Sequence, residues 1–135
     1  MSANLITPDN VSNELLKNVC AAYVDTHVDE DGYLLLLGDC QTYVTITPDK
    51  SAVRLTTLFR IREDVGMDAR LAAANRINDD YIMVKAHCSD DGKLVFSYYF
   101  MLTGGLTHNA LVRGVKLFDS IPRSAINEHA QDMII

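Results

Sequence analysis

The sequence lacks a long run of apolar residues. Its longest aliphatic run is Leu34–Leu37, whereas a helix that crosses a membrane takes about 20 apolar residues. Residues 1–8 also lack the basic region followed by an apolar stretch that is typical of a secretory signal peptide. These two absences predict a cytoplasmic protein with no membrane insertion.

Basic residues are scarce relative to acidic ones. The chain has 12 Lys and Arg against 18 Asp and Glu, which gives a formal net charge of -6 at pH 7. A nucleic-acid surface needs clustered Lys and Arg to neutralise phosphates, so this balance predicts no nucleic-acid binding. The length of 135 residues, of which 48% are hydrophobic, predicts one globular domain over residues 1–135.

Sequence motifs for catalysis and metal binding are absent. There is no Gly-x-Ser-x-Gly and no His-Glu-x-x-His. Cys20, Cys40 and Cys88 are odd in number and lack the close spacing of a zinc site, which predicts reduced, buried thiols. His87-Cys88 cannot chelate one ion together without a bulge, because neighbours on a strand point to opposite faces. The sequence therefore predicts no catalytic residue, no metal ligand and no cofactor, although absent motifs leave an unfamiliar type of enzyme open.

Two acidic stretches, Asp29-Glu30-Asp31-Gly32 and Ser89-Asp90-Asp91-Gly92, resemble the start of a calcium loop. Such a loop has Gly at its sixth position and a carboxylate at its twelfth. If either Gly held the sixth position, the twelfth would be Gly38 or Tyr98, and neither carries a carboxylate. Both stretches are therefore predicted to be hairpin turns in which Gly adopts a positive φ.

Helical periodicity covers the first part of the chain. Thr7-Pro8 predicts the start of a helix, with Thr as N-cap and Pro at the first helical position. This helix is predicted to run to about Asp25. Its apolar stripe consists of Val11, Leu15, Leu16, Val19, Cys20, Tyr23 and Val24.

A second, alanine-rich helix is predicted in the middle of the chain. Its N-cap is Asp64 or Asp68, and the sequence does not decide between them. Acids are unfavourable at the negative end of a helix dipole, so Asp79-Asp80 predicts an end at Asn78.

A third helix is predicted to begin at Thr107, which acts as its N-cap. Gly104-Gly105 precedes it and is predicted to form a tight turn, with an anion site as the alternative. Pro122 predicts an end near Asp119. Residues 123–135 are predicted to include a short last helix.

Strand-like patterns fill the remaining segments. They cover residues 33–37, 40–47 and 53–62, with His27-Val28 ahead of them, and later the hairpin arms 81–88 and 93–102. The predicted order is α-β-β-β-α-β-β-α. This is an α+β fold with helices packed on a twisted antiparallel sheet.

Arg54, Arg60 and Arg62 alternate with apolar residues and share one face of their predicted strand. They form either a solvated face or a basic strip that recognises an acidic segment of a partner protein.

Apolar residues also lie on both faces of the predicted strand over residues 93–102. By the alternation of side chains along strands, one sheet face is predicted to hold Tyr81, Met83, Val95, Tyr99 and Met101. Aromatic and thioether groups are typical of adaptable interfaces, so these residues are candidates for protein binding. The alternative is that the third helix or the C-terminal tail covers them.

The central stretch carries a family resemblance. A small-residue helix ends in Ile77-Asn78, a strand of the form Ile82-Met83-Val84-Lys85-Ala86 follows, and an acidic Gly-containing hairpin leads to an aromatic strand and then to Gly104-Gly105-Leu106-Thr107. With the order of elements, these features resemble the YbjN-domain family, whose members look like type III secretion chaperones in fold. The resemblance covers residues 53–118 directly and the N-terminal third by element order.

The resemblance implies a non-enzymatic protein-binding domain, often a homodimer, that acts in bacterial sensory transduction, motility or surface regulation. It implies no catalytic residues and no cofactor. The alternative is a small-ligand sensor or an unrecognised enzyme that uses a pocket between the sheet and the helices.

Overall fold

The computed structural model describes residues 5–135 as eight strands and four helices. The strands are β1 (Leu5–Ile6), β2 (Asp25–Val28), β3 (Leu34–Leu37), β4 (Gln41–Ile46), β5 (Ala52–Arg60), β6 (Lys85–Cys88), β7 (Lys93–Met101) and β8 (Leu106–Thr107). The helices are α1 (Asn13–Cys20), α2 (Met67–Asp80), α3 (His108–Asp119) and α4 (Pro122–His129). No helix in this described part of the chain has both the length and the apolar character that crossing a bilayer requires.

Six strands form one antiparallel sheet in the order β2-β3-β4-β5-β7-β6. Its centre is the pairing of β5 with β7, which runs from Ala52 opposite Met101 to Arg60 opposite Lys93. The short strands β1 and β8 pair with each other outside this sheet.

The helices pack against one face of the six-stranded sheet. Each helix contributes side chains to the buried cluster, and Phe96 and Phe118 are fully buried within it. On β7 the inward-facing residues are Leu94, Phe96, Tyr98 and Phe100, which all contact this core. Gly114 of α3 lies against the ring of Phe100, because only a residue without a Cβ fits there. The third helix therefore covers the inner face of β7.

The predicted fold class is confirmed: helices pack on an antiparallel sheet. The region between α1 and α2 holds four strands instead of three, because Asp25–Val28 pairs fully with β3. The predicted turns are also confirmed, with Gly32 at φ +86° and Gly92 at φ +81°. Thr107 caps α3 as predicted, since its Oγ1 accepts a hydrogen bond from the Ala110 N–H at 3.0 Å.

The predicted start of the first helix is wrong. The Ser12 side chain caps α1 by accepting from the Leu15 N–H at 3.0 Å, and Thr7-Pro8 lies in a turn. Asn10 holds this turn, because its Oδ1 accepts from the Thr7 N–H at 2.8 Å. Local side-chain bonds of this kind compete with helix formation. The helix ends at Cys20, earlier than predicted.

Both predicted bounds of the second helix are wrong. Its N-cap is Gly66, without a side-chain cap, while Asp64 forms an ion pair with Arg62 at 3.0 Å. The helix continues past Asn78 to Asp80. Asp80 lies 2.6 Å from His129, a contact between distant segments that the local dipole argument could not include.

Candidate protein-binding surface

The sheet face opposite the helices is here called the open face. Residues directly opposite each other in an antiparallel pair point to the same side. Arg54 lies opposite Tyr99, and Leu58 lies opposite Val95. Across β3 to β7, the same register gives the open face Leu35, Leu37, Gln41, Tyr43, Thr45, Ala52, Arg54, Thr56, Leu58, Arg60, Lys85, His87, Lys93, Val95, Ser97, Tyr99 and Met101.

Within residues 5–135, no helix packs on the open face. The buried cluster that includes side chains of all four helices holds sheet residues of the opposite parity, such as Leu55 and Phe96. Leu35 and Val95 are buried, yet they lie outside that cluster. The open face is therefore a separate surface that can contact solvent or another molecule.

The open face carries accessible apolar side chains. Leu58 is 40% exposed, Tyr99 47% and Met101 62%. Val95 lies directly opposite Leu58 and is buried at 9%, and the polar pair of Thr56 and Ser97 separates these two from Tyr99 and Met101. Exposed apolar side chains on a sheet, bordered by polar residues, are typical of protein interaction sites.

Basic side chains lie on the same face as these apolar residues. Arg54 and Arg60 lie on β5, Lys93 on β7 and Lys85 on the edge strand β6. In the part of the chain that the structure describes, neither arginine forms an ion pair, whereas Lys93 contacts Asp91 at 2.9 Å. A chain with a net charge of -6 thus collects basic groups on one surface.

The ion pair of Lys93 lies at the β6–β7 turn. Hydrogen bonds from the Ser89 hydroxyl and from Lys93 lower the pKa of the Asp91 carboxyl. Because Lys93 already forms an ion pair with Asp91, Arg54 and Arg60 are the basic groups best placed to bind a carboxylate of a partner.

Five of the eight residues predicted for protein binding lie on the open face. They are Arg54, Arg60, Val95, Tyr99 and Met101. Four of these are exposed, and only Val95 is buried. Sequence analysis missed Leu58, although its position between Arg54 and Arg60 in the alternation places it on the same face. The signal in the sequence was an apolar residue at a position of the strand that the alternation assigns to the same side as the two arginines.

Of the other three predicted residues, Arg62 lies just past the end of β5, and Tyr81 and Met83 lie ahead of β6, which corrects the predicted placement of these last two. Arg62 follows β5, where its backbone N–H bonds to Met133 and its guanidinium pairs with Asp64.

Tyr81 and Met83 precede β6, which begins only at Lys85. Met83 has φ +72°, so the chain bends there and the alternation of a strand does not extend back to these two residues. The predicted hairpin arm over residues 81–88 is therefore too long at its N-terminal end.

One edge of the sheet is closed by a side chain. The amide of Asn78 accepts from the Ala86 N–H at 2.7 Å and donates to the Ala86 C=O at 2.9 Å. These are the outward-facing backbone groups of the edge strand β6, so Asn78 occupies the positions that another strand would use.

One cavity between the sheet and α3 is small. It has a volume of about 190 Å³ and is lined by Tyr23, Val24, Leu36, Gly38, Asp39, Thr42, Val115, Lys116 and Asp119. Pockets for small molecules usually measure about 300–1,000 Å³. The Asp119 carboxylate accepts from the backbone N–H groups of Asp39 and Cys40 at 2.9 and 3.0 Å, and thereby holds the β3–β4 turn.

The three cysteines are free thiols. Burial raises the pKa of Cys20 to about 11, and it also raises the pKa values of Cys40 and Cys88. A reactive nucleophile needs the opposite shift, so their surroundings suit packing better than chemistry.

Comparison with known proteins agrees with this architecture. The sequence profile of the YbjN family, described as "Putative bacterial sensory transduction regulator", matches residues 7–129. The chain belongs to the YbjN family. The family resemblance drawn from the sequence is therefore confirmed. A search of curated protein sequences finds no match.

Solved structures share the fold of this YbjN-family chain. YbjN from E. coli, described as "a putative transcription regulator", is 17% identical with a TM-score of 0.77, over 97% of this chain and 98% of that one. A chain of the HopA1-SchA chaperone-effector complex is 12% identical with a TM-score of 0.58, over 87% and 91%.

A third similar structure is the Yersinia pestis type III secretion chaperone SycH in complex with a stable fragment of YscM2. It is 11% identical, with a TM-score of 0.55, over 85% of this chain and 97% of that one. At these identities the likeness shows the fold alone. The family description alone points to a regulatory role.

Proposed function

We propose that this YbjN-family chain is a cytoplasmic, non-enzymatic regulator that binds a partner polypeptide through its open face. It acts in bacterial sensory transduction or in the regulation of surface properties or motility. The observation that carries the proposal is a sheet face with accessible apolar side chains and arginines, on which no helix of the described chain packs. The family description and the chaperone complexes among the fold neighbours support it.

The open face supplies two kinds of contact. Leu58, Tyr99 and Met101 would lose water when a partner covers them, and aromatic residues at the centre of an interface often dominate its affinity. Arg54 and Arg60 would bind carboxylates through two parallel hydrogen bonds each. The preferred partner is therefore a segment that combines apolar and acidic side chains.

The chain is further proposed to act as a homodimer. Met67 and Leu71 lie one turn apart on α2 and are both exposed. The neighbouring Ala69 and Ala72 are also exposed and small, so a second copy could approach this helix closely. Light scattering on the purified protein would measure the mass, and a strict monomer at working concentrations would contradict the homodimer.

Substitution on the open face tests the binding proposal. Tyr99→Glu places an acid among the apolar residues of the open face and should lower partner recovery in a pull-down from the native cell at least tenfold, since hot-spot truncations cost about 2 kcal/mol or more. The matched control is Leu117→Glu on α3, because Leu117 is 48% exposed and Tyr99 47%. Quantitative mass spectrometry of the recovered proteins gives the readout.

Both variants should retain a cooperative thermal transition, because both positions are half exposed. Equal recovery by the Tyr99→Glu and wild-type proteins would contradict the proposal. Equal loss with Leu117→Glu would do so as well, since it would show that the open face is not the binding surface.

A further inference from the structure

Three potential metal ligands meet where α2 and α4 end. His129 Nε2 lies 2.6 Å from Asp80 Oδ2 and 3.8 Å from Glu128 Oε2. One donor atom from each of the three residues falls within 4.8 Å of the others. Asp80 is 49 positions from His129 in the chain, so no short sequence motif predicts that these residues lie together.

Tyr81 orients one of the carboxylates. Its hydroxyl donates to Glu128 Oε1 at 2.9 Å, which leaves Oε2 directed at His129. Partners that fix a ligating carboxylate in this way are a general feature of metal sites.

The electrostatic surroundings favour a cation. Asp80 is the last residue of α2, and His129 is the last residue of α4. The negative ends of two helix dipoles therefore point to the place where two carboxylates already lie. Within residues 5–135, no Lys or Arg forms an ion pair with Asp80 or Glu128.

We propose that Asp80, Glu128 and His129 form a site for a divalent first-row transition metal ion, with Zn²⁺ as the best match. Imidazole nitrogen and carboxylate oxygen are both zinc donors, and three protein ligands leave a fourth position for water. Ligand bonds of about 2.0–2.2 Å imply donor atoms roughly 3.3 Å apart in a tetrahedral site. The observed separations of 2.6 and 3.8 Å lie on either side of this value.

The bound ion would join the C-terminal ends of α2 and α4. The bond would add a fixed link between two helices that otherwise meet here through side-chain contacts to His129 and Tyr81. A ligand that binds only the folded chain raises its stability, so the metal should raise the Tm. This site is independent of the open face and does not rest on the proposed protein binding.

Calorimetric titration of the full chain with ZnCl₂ tests the site. The wild-type protein should bind one Zn²⁺, and His129→Ala should weaken its affinity at least tenfold. Glu128→Gln keeps an acceptor for Tyr81 but removes the charge, and should weaken binding while preserving the fold. The matched control is His87→Ala, which removes an exposed histidine of β6 and should bind as the wild type does.

Thermal melting with and without ZnCl₂ provides a second readout. The Tm should rise with metal in the wild-type and His87→Ala proteins, and the rise should be lost in Glu128→Gln. Co²⁺ absorption separates this site from the thiols, because a nitrogen and oxygen site lacks the intense thiolate-to-metal bands.

Three results would overturn the proposal. The first is the absence of binding by the wild-type protein at metal concentrations well above that of the protein. The second is equal affinity in the wild-type and Glu128→Gln proteins, and the third is a thiolate spectrum.

Discussion

Removal of the Asn78 side chain should weaken the joint between α2 and the edge of the sheet. In Asn78→Ala, the N–H and C=O of Ala86 lose hydrogen bonds of 2.7 and 2.9 Å. A hydrogen bond contributes about 0.5–1.5 kcal/mol net, so the two together contribute about 1–3 kcal/mol. Alanine regains about 0.6 kcal/mol through its higher helix propensity. We expect a net loss of about 1–2 kcal/mol and a fall in Tm of about 5 °C.

The control for this variant lies in the same helix. Asn75 is exposed and forms no side-chain hydrogen bond within residues 5–135. Asn75→Ala makes the same chemical change and should raise the free energy of unfolding by about 0.5 kcal/mol through helix propensity alone. Urea unfolding of the two variants and the wild type measures the difference. Equal stability of Asn75→Ala and Asn78→Ala would refute the reasoning.

Hydrogen exchange locates the effect. The Ala86 N–H points away from β7, whereas the His87 N–H points towards its partner Val95. In Asn78→Ala, the Ala86 amide should lose protection while the His87 amide keeps it. Uniform loss of protection along β6 would show that the strand itself has detached, and that Asn78 does more than close the edge. The exposed edge should also make the variant more prone to association.

Two further predictions concern the core. Gly114→Ala should destabilise the protein by about 1–3 kcal/mol in urea unfolding, because the added Cβ would clash with the ring of Phe100. This overpacking outweighs the gain of about 1 kcal/mol in helix propensity. Phe100→Leu should rescue the stability of Gly114→Ala, and a Gly114→Ala protein as stable as the wild type would contradict the close approach. Burial raises the pKa of Cys20 to about 11, so the unfolded chain loses this thiol proton first as the pH rises above about 9, and the free energy of unfolding should fall by about 2–3 kcal/mol by pH 11. Cys20→Ala should remove that part of the fall, and an unchanged pH profile would be evidence against it.

Local patterns in the sequence determined the elements that depend on neighbouring residues. The alternation on β5 predicted a wet side with Arg54 and Arg60, and the structure has both exposed. Thr107 was predicted as the cap of α3 because its hydroxyl reaches a backbone N–H three positions on. The prediction failed where a residue distant in the chain makes the contact. His129 lies 2.6 Å from Asp80 at the end of α2, and the helix continues past Asn78.

The sequence by itself determined the fold class, the hairpin turns and the apolar and basic character of β5 and β7, because these follow from the side-chain period and from contacts only a few residues long. Only the tertiary structure decided that all four helices pack on the same face and leave the other open. It alone brought Asp80 to Glu128 and His129, and Asn78 to Ala86. Such meetings depend on strand register and on the direction in which each helix crosses the sheet, and no local period encodes either.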